Sequence, residues 1–423
     1  EVDEVFHRVD AVLLVEDCSV AGPWTPREFM EQRGLEVRDD MGLWIPQATE
    51  VALELRARGL QFDGGMSLTG DELIAAVEAL GGDPRAPTPA MDTGGATAGQ
   101  DSPASAGRLD VAPVGHADAA GHTADAASTN TESSAVIEVR DVSFAYGDHD
   151  VLKGVGFSAR RSELLALVGQ NGSGKSTLAS LFNGIAVPDS GEVLVDGIPT
   201  TEYKFAHLAR RVAHIFQVPE KQFVRATVYG EIAHGLRALG LAQDEVEQRT
   251  LDYLRAVRLL ERRDASPYVL SHGQKRRLSV AAMVVDEPDV VVLDEPTFGQ
   301  DYHQARNLME LLRKLAAGGA AVVFITHDMR LVAEYADRTV VLCDGAVAFD
   351  GAPDELFAAP GVLARARLRP PPVHEISTRL LGEPLLTTAA LVERIGAEFA
   401  AAPTPRRPRD ASNKSRAESR SAG

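Results

Sequence analysis

The stretch Gly169-Gln-Asn-Gly-Ser-Gly-Lys-Ser-Thr177 decides the fold of this chain. It follows an apolar run, Leu164-Leu-Ala-Leu-Val168, that predicts a buried strand, and it leads into Leu178-Ala-Ser-Leu-Phe182, which predicts a helix. Glycine-rich backbone between a strand and a helix turns successive N–H groups toward phosphate oxygens, and the helix N-terminus adds its positive dipole end. The sequence therefore predicts a phosphate-binding loop for a nucleoside triphosphate, made by Gly169, Gln170, Asn171, Gly172, Ser173, Gly174, Lys175, Ser176 and Thr177.

The side chains that complete such a site follow other apolar runs. Val291-Val-Leu-Asp294-Glu295-Pro296 predicts a strand that ends in two carboxylates. Lys175 would reach the β- and γ-phosphates, whereas Ser176 and Asp294 would hold Mg²⁺. Glu295 is placed to polarise a water against the γ-phosphate, as a general base does.

Two further polar residues end predicted strands. His327 comes shortly after Ala321-Val-Val-Phe-Ile325, and Gln217 follows Val212-Ala-His-Ile-Phe216. His327 would hydrogen-bond the γ-phosphate, although a histidine at a strand end is, on its own, more often a satisfied polar group. Gln217 would contact both the metal and the attacking water. The predicted catalytic residues are thus Glu295, His327 and Gln217, and Gln217 is also a predicted Mg²⁺ ligand.

A second anion site is predicted where Leu270-Ser-His-Gly-Gln274 leads into a helical stretch. The serine hydroxyl and glycine N–H at a helix N-terminus suit a γ-phosphate, and the residues of this signature are Ser271, His272, Gly273 and Gln274. Tyr146 offers a flat face on which a base can stack. Without the other motifs, Tyr146 is equally well explained as a core or surface aromatic residue.

Composition excludes several functional classes. The chain has 423 residues, 44% hydrophobic and 25% charged, which are ordinary values for one or two globular domains. A formal net charge of -18 disfavours nucleic acid as the partner. Cys18 and Cys343 are too few and too far apart for a disulfide framework or a zinc site. The sequence contains no apolar run of transmembrane length.

Composition also divides the chain. Residues 81–134 are rich in Ala, Gly, Ser and Thr and predict a disordered linker, and residues 402–423 predict a basic disordered tail. Between them, residues 135–370 alternate strand-like and helix-like patterns, which predicts a layered α/β domain. Residues 371–401 form a short helical C-terminal segment.

The first 80 residues resemble the end of this domain. A shift of 327 positions places Asp10-Ala-Val-Leu-Leu-Val-Glu-Asp17 on Asp337-Arg-Thr-Val-Val-Leu-Cys-Asp344, and Pro26 on Pro353. This pattern predicts an internal repeat, so that residues 1–80 are the remnant of a first copy and the chain is a fragment or truncated. The alternative is an independent small domain with chance similarity.

In their order along the chain, Tyr146, the phosphate loop, Gln217, the signature, Asp294-Glu295 and His327 resemble the ATP-binding cassette (ABC) family. The resemblance covers roughly residues 135–370 together with the N-terminal remnant. It implies the P-loop NTPase three-layer fold of an ABC nucleotide-binding domain, with an antiparallel β subdomain and a helical signature subdomain. It also implies ATP and Mg²⁺ as cofactors. Residues 135–370 would be a complete ABC ATPase domain, and residues 1–80 the C-terminal remnant of another.

The resemblance also implies partners. Two such domains clasp ATP head to tail, so the signature would act in trans on the partner's nucleotide, and Asp301 would lie at the dimer interface. The partner would be a second ABC ATPase domain, either a missing first half or a separate chain. Integral membrane subunits would carry a substrate that this chain does not bind. The chain would then lie peripherally at the cytoplasmic face of the cell membrane, without a nucleic-acid partner.

Within the family, Phe216-Gln-Val-Pro-Glu-Lys-Gln222 and Glu295-Pro-Thr-Phe-Gly-Gln-Asp301 resemble the energy-coupling-factor (ECF) importers of vitamins and transition-metal ions. One alternative is a soluble twin-cassette ATPase acting on ribosomes, but such proteins have a charged helical linker unlike residues 81–134. Another is a DNA-repair cassette, which would need coiled-coil insertions. His272 departs from the family signature, which usually has glycine there, and we hypothesise that it alters the hydrolysis rate.

Overall fold

The structure is a computed structural model that describes residues 2–16, 18–62, 64–80 and 135–401. The predictions of a linker at 81–134 and of a tail at 402–423 lie outside these residues. The described strands are β1 (Val12–Glu16), β2 (Ser19–Trp24), β3 (Ala135–Tyr146), β4 (His149–Arg160), β5 (Leu164–Val168), β6 (Ser190–Val195), β7 (Ile198–Pro199), β8 (Val212–Ile215), β9 (Val290–Asp294), β10 (Ala321–Ile325), β11 (Arg338–Cys343) and β12 (Ala346–Gly351).

The described helices are α1 (Val2–Val5), α2 (Pro26–Asp39), α3 (Gln47–Ala57), α4 (Gly70–Ala79), α5 (Lys175–Phe182), α6 (Phe205–Arg211), α7 (Val228–Ala238), α8 (Gln243–Ala256), α9 (His272–Val284), α10 (Tyr302–Ala317), α11 (Met329–Tyr335), α12 (Pro353–Phe357), α13 (Pro360–Ala366), α14 (Pro372–Leu381) and α15 (Thr388–Ala401).

We call residues 135–370 the cassette, and a six-stranded sheet in the order β12-β11-β5-β10-β9-β8 forms its centre. Its strands are parallel except for β12, which runs antiparallel to β11 at the edge. A second sheet, β4-β3-β6-β7, is antiparallel. The predicted α/β fold with a separate antiparallel sheet and helical layers is confirmed, and each predicted strand of the parallel sheet is present.

Every residue of β5 is buried, because both faces of the central sheet are covered. Alternate side chains enter different cores: Leu164 and Val168 pack with helices that include α7, α8 and α10. Leu165 and Leu167 pack with α5 and with the antiparallel sheet. This two-sided packing fixes the carboxyl end of β5, where the phosphate loop begins.

The N-terminal residues repeat the secondary structure of the end of the cassette. Adding 327 to the bounds of β2 gives 346 and 351, the bounds of β12. The same shift carries α2 onto residues 353–366, the range covered by α12 and α13. The correspondence continues with α3 and α14 and then with α4 and α15. Helix α4 is the last element before residues 81–134, and α15 is the last element of the described residues.

These helices build one shared core. α3 packs on α15, and α4 packs on α14. The core joins buried residues such as Val51 and Leu73 from residues 2–80 to Ile376 and Leu391 from residues 371–401. Residues 371–401 therefore pack with residues 2–80, and we call this combined unit the repeat module.

Candidate functional site

The phosphate loop adopts a backbone that requires glycine. Gly169, Gly172 and Gly174 have φ values of 146°, 82° and 101°, a region that L side chains rarely adopt. A Cβ on Gly169 would lie 2.2 Å from the carbonyl oxygen of Leu342. Strand β11 and this loop therefore touch so closely that no other residue fits. Gly174 is the N-cap of α5, so the loop ends at a helix N-terminus.

Two groups in the loop have the chemistry that phosphate oxygens need. The Lys175 ammonium is buried and donates to the carbonyl oxygens of Gly169 and Gln170, at 2.8 and 2.9 Å. Burial lowers the pKa of Lys175, while the charges of Glu295 and Asp294 oppose that shift. The buried Ser173 hydroxyl has no hydrogen-bond partner within the described part of the chain. A buried donor without a partner is costly, and a phosphate oxygen would satisfy it.

The metal ligands predicted at Ser176 and Asp294 are in contact. The Ser176 hydroxyl donates to Asp294 Oδ2 at 2.7 Å, which joins the start of α5 to the end of β9. Hydroxyl and carboxylate oxygens suit Mg²⁺, which in nucleotide sites takes only one or two protein ligands beside phosphates and water. The described residues contain no cluster of three or more His, Cys, Asp or Glu side chains that could hold a metal by themselves. The pair thus fits Mg²⁺ brought with a nucleotide.

The predicted catalytic pair is also assembled. His327 Nδ1 lies 2.8 Å from Glu295 Oε1, and the Glu295 side chain is 15% exposed. Glu295 has φ 44°, an uncommon value for a non-glycine residue, and its N–H donates to the carbonyl of Ile325 at 3.0 Å. The turn after β9 is therefore anchored to the neighbouring strand β10. The carboxylate is oriented by an imidazole and not left to rotate freely.

Gln217 is exposed and follows β8. Its backbone lies beside Arg276, a residue to which the sequence pattern assigned no role. Arg276, in α9, is 1% exposed and donates to the carbonyl oxygens of Phe216 and, at 2.8 Å, of Asp294. A third contact reaches the carbonyl of Gln217 at 3.4 Å. Burial lowers the pKa of Arg276 to about 10, against the charges of Asp294 and Glu295. The only sequence signal was its place in the stretch Gln274-Lys-Arg-Arg-Leu278.

The signature lies at the N-terminus of α9. Ser271 is the N-cap, and its hydroxyl and the Gln274 side chain form a reciprocal capping box. His272 is exposed and is not among the residues with positive φ, so a side chain fits its backbone without strain. Gly273 is buried, and a Cβ there would lie 2.5 Å from Gln304 Oε1. The side chains of Ser271 and Gln274 hydrogen-bond within this cap, at 3.0 and 3.3 Å.

The remaining predicted residues lie at the edges of the site. Tyr146, at the end of β3, is 60% exposed and meets Phe144 edge to face, which leaves a ring face open for stacking. Asp301 is the N-cap of α10, where it accepts a hydrogen bond from the Gln304 N–H at 2.8 Å. The structure thus brings the phosphate loop, Asp294, Glu295 and His327 together, and leaves the signature outside that group.

Comparison with known proteins agrees with this geometry. A family model described as ABC transporter matches residues 152–298. The putative HMP/thiamine import ATP-binding protein YkoD of Bacillus subtilis is 43% identical over 60% of this chain and 46% of its own length. The energy-coupling factor transporter ATP-binding protein EcfA of Methanocaldococcus jannaschii is 39% identical over 57% of this chain and 88% of its own length.

A solved structure is similar as well. The cbiO1 protein of Clostridium perfringens, described as part of the ABC transporter complex cbiONQ, is 34% identical with a TM-score of 0.50. The match covers 56% of this chain and 95% of that one.

The chain spans about half the length of several curated relatives that it matches. None of the helices in the described ranges is long and apolar enough to cross a bilayer. The match to EcfA, which includes most of that protein, and the family match together settle the affiliation. The chain belongs to the ABC transporter family, whose cassettes bind ATP with Mg²⁺ and hydrolyse it.

Proposed function

We propose that this chain is the ATP-hydrolysing subunit of an ECF-type ABC importer that takes up a vitamin or a transition-metal ion. ATP-driven closure of two cassettes would be coupled to transport by separate integral membrane subunits, with the chain bound peripherally at the cytoplasmic face of the membrane. The observation that carries the proposal is the convergence of three groups at the carboxyl ends of adjacent strands β5, β9 and β10. These groups are the phosphate loop, the Ser176–Asp294 pair and the Glu295–His327 pair.

Each side chain receives a role from its position. Lys175, freed from the two loop carbonyls, would neutralise the β- and γ-phosphates, and Ser176, Asp294 and Gln217 would hold Mg²⁺. Glu295 would accept a proton from the attacking water, with His327 fixing its orientation and contacting the γ-phosphate. ATP would supply the phosphoryl group that is transferred to that water.

The assignment of the other residues rests on a second cassette. Tyr146 would stack on the adenine, and the signature Ser271–Gln274 would contact the γ-phosphate bound by the partner. Asp301 would lie between the two cassettes. The capping box fixes the backbone at the start of α9 and uses the N–H groups of Ser271 and Gln274, so the Ser271 hydroxyl and the Gly273 N–H would be the donors to the phosphate.

The repeat module supports a second cassette. In the described residues β1 pairs only with β2, and Leu13, Val15 and Val20 are 59%, 69% and 66% exposed. The corresponding strand β11 is buried because it lies within the central sheet, where its side chains enter the cores on both faces. An apolar sheet face of this kind indicates an interaction surface, and a cassette core with a strand equivalent to β5 would cover it.

Import by an ECF-type assembly is supported by the names of relatives. One is called an HMP/thiamine import protein, and another is called an energy-coupling factor protein. These names favour uptake of a small nutrient over the ribosomal and DNA-repair alternatives. The membrane subunits would then select the nutrient.

Hydrolysis is tested with the purified full chain and Mg-ATP. Glu295→Gln should keep ATP affinity, because glutamine has the size and shape of glutamate. It should lower the hydrolysis rate by about 10²- to 10⁴-fold, because glutamine cannot act as a general base. Glu310→Gln, on the exposed face of α10, is the control and should hydrolyse normally. Retained turnover in Glu295→Gln would reassign the base to Gln217 or His327. Activity per chain should rise with protein concentration, since two cassettes must meet.

Transport is tested in the source cell. A tag at the C-terminus should fractionate with membranes, and Lys175→Ala should abolish uptake of one labelled nutrient among thiamine-type vitamins, Co²⁺ and Ni²⁺. Lys204→Ala, an exposed lysine outside the site, serves as the control. Sedimentation of the tagged chain with ribosomes would reject the transport role.

A further inference from the structure

The loop that carries Asp301 is hydrogen-bonded to the repeat module. We call residues 296–301 the Asp301 loop, and residues 39–46, from the last residue of α2 to the start of α3, the connector. The Tyr302 N–H donates to the carbonyl of Gly42 at 2.7 Å. The indole N–H of Trp44 donates to the carbonyl of Gln300 at 3.1 Å. Two backbone groups on either side of Asp301 are therefore bound by a segment more than 250 positions away in the sequence.

Side chains add contacts between the connector and the start of α10. His303 Nε2 lies 2.9 Å from the carbonyl of Asp39, and the rings of Trp44 and Tyr302 meet edge to face with centroids 5.3 Å apart. Gly42 has φ 70°, and a Cβ there would lie 2.6 Å from His303 Cδ2. The approach of the connector is thus so close that a methyl group would push the two segments apart.

The Asp301 loop is short and is held by hydrogen bonds within itself and to Glu295. The Gln300 N–H donates to Thr297 at 3.1 Å, its side-chain amide donates to the carbonyl of Pro296 at 2.8 Å, and Gln300 is 9% exposed. At the other end the Phe298 N–H donates to the carbonyl of Glu295 at 3.3 Å. The Glu295 backbone has φ 44°. Hydrogen bonds therefore connect Trp44 through the Asp301 loop to the backbone of Glu295.

We propose that the connector is a positioning element for hydrolysis, with Trp44 as its key residue. Trp44 and Gly42 hold the Asp301 loop so that Glu295 and Asp301 keep their hydrolytic geometry, which places part of the repeat module in the working parts of the cassette. Trp44 acts through the loop and does not touch the nucleotide. The inference rests on the proposed ATPase function and adds a route by which movement of the repeat module changes the hydrolysis rate.

The test compares Trp44→Phe with the wild-type full chain. Phenylalanine keeps an aromatic ring against Tyr302 but removes the N–H donor to Gln300. We expect kcat for Mg-ATP to fall about 2- to 10-fold, which corresponds to one net hydrogen bond, with KM for ATP unchanged because the connector is not part of the phosphate loop. Gly42→Ala should lower kcat further. Leu43→Ala, in the same connector but 44% exposed, is the matched control and should behave as wild type.

Hydrogen exchange provides a readout that does not depend on turnover. Amide exchange across residues 296–303 should accelerate in Trp44→Phe and stay unchanged in Leu43→Ala. The positioning role is rejected if exchange and kcat both match wild type, or if kcat falls only together with a lower thermal midpoint and a raised KM. If the wild-type full chain does not hydrolyse Mg-ATP at any protein concentration, the proposed function fails instead, and the exchange result alone decides whether Trp44 holds the Asp301 loop.

Discussion

Among the residues of the phosphate loop, Ser173 most directly indicates that the loop binds phosphate. It is 2% exposed, it has no hydrogen-bond partner among the described residues, and it lies within a loop of positive-φ glycines. An unsatisfied buried hydroxyl costs about 1–3 kcal/mol in folding free energy. Such a cost is retained in a binding site when a ligand provides the missing partner.

Ser173→Ala should therefore separate stability from binding. The variant should unfold at the same or a higher temperature than wild type, because a buried polar group without a partner is removed. It should bind ATP several-fold more weakly, because one donor to phosphate is lost. Calorimetric unfolding and titration with ATP would measure both, with Ser180→Ala as a control whose hydroxyl already donates to the carbonyl of Thr177. Equal ATP affinity in Ser173→Ala would show that the hydroxyl does not face the nucleotide.

At the residue scale the sequence predicted identities better than orientations. The glycines, Lys175 and the Ser176–Asp294 pair follow from a strand–loop–helix pattern and from a strand that ends in carboxylates. The contact between Glu295 and His327 depends on β9 and β10 being neighbours, which strand order decides and local pattern does not. The role of Arg276 was also hidden, because an arginine in the basic stretch Lys275-Arg-Arg277 looks like a surface residue until its acceptors are known.

At the scale of elements, α9 ties the signature to the catalytic strands. Its N-terminus carries the Ser271 cap, and one turn later Arg276 reaches the carbonyl oxygens that follow β8 and end β9. Rigid movement of α9 must therefore move Gln217 and Asp294 or break these bonds. One buried guanidinium thus connects the helix that begins at Ser271 with the ends of β8 and β9.

Arg276→Met should destabilise the chain by about 2–4 kcal/mol, because the carbonyls of Phe216 and Asp294 lose their donor in a buried place. Urea unfolding measures the change in free energy. Lys275→Met is the neighbouring control: it removes only the partly exposed salt bridge to Glu220, at 2.8 Å, and should cost less than about 1 kcal/mol. A loss in Arg276→Met no larger than that of the control would mean that water replaces the guanidinium.

At the scale of the whole molecule, the repeat module and the cassette enclose a cavity of about 420 Å³ beside the connector. Trp44, Glu50, Tyr302 and Glu334 are among its lining residues. The internal sequence similarity predicts a repeat, but it does not predict this contact, since the contact depends on how α3 and α4 pack on α15 and α14. The cavity places ionisable groups from both parts in a poorly solvated space.

Glu50 is one of the cavity residues whose pKa this burial raises. Burial raises the pKa of Glu50 to about 7, while Arg38 in α2 opposes the shift and Glu334 in α11 adds to it. Glu54 in α3 also raises this pKa, and a hydrogen bond from Thr388 in α15 lowers it. In the unfolded chain the carboxyl ionises near pH 4.3. Between about pH 4.3 and pH 7, Glu50 is protonated in the folded state and ionised in the unfolded state. The free energy of unfolding therefore falls as pH rises toward 7 and levels off above pH 7.

Glu50→Gln should remove this pH dependence. The variant's advantage in unfolding free energy over wild type should grow by about 2–3 kcal/mol between pH 5 and pH 8, because glutamine carries no charge to desolvate. Both tryptophans, Trp24 and Trp44, lie in the repeat module, so their fluorescence during urea unfolding reports on this part of the chain. Glu78→Gln, exposed on α4, should leave the wild-type profile unchanged. Parallel curves for Glu50→Gln and wild type would place Glu50 in solvent, and the contact between the module and the cassette would then be looser than the structure has it.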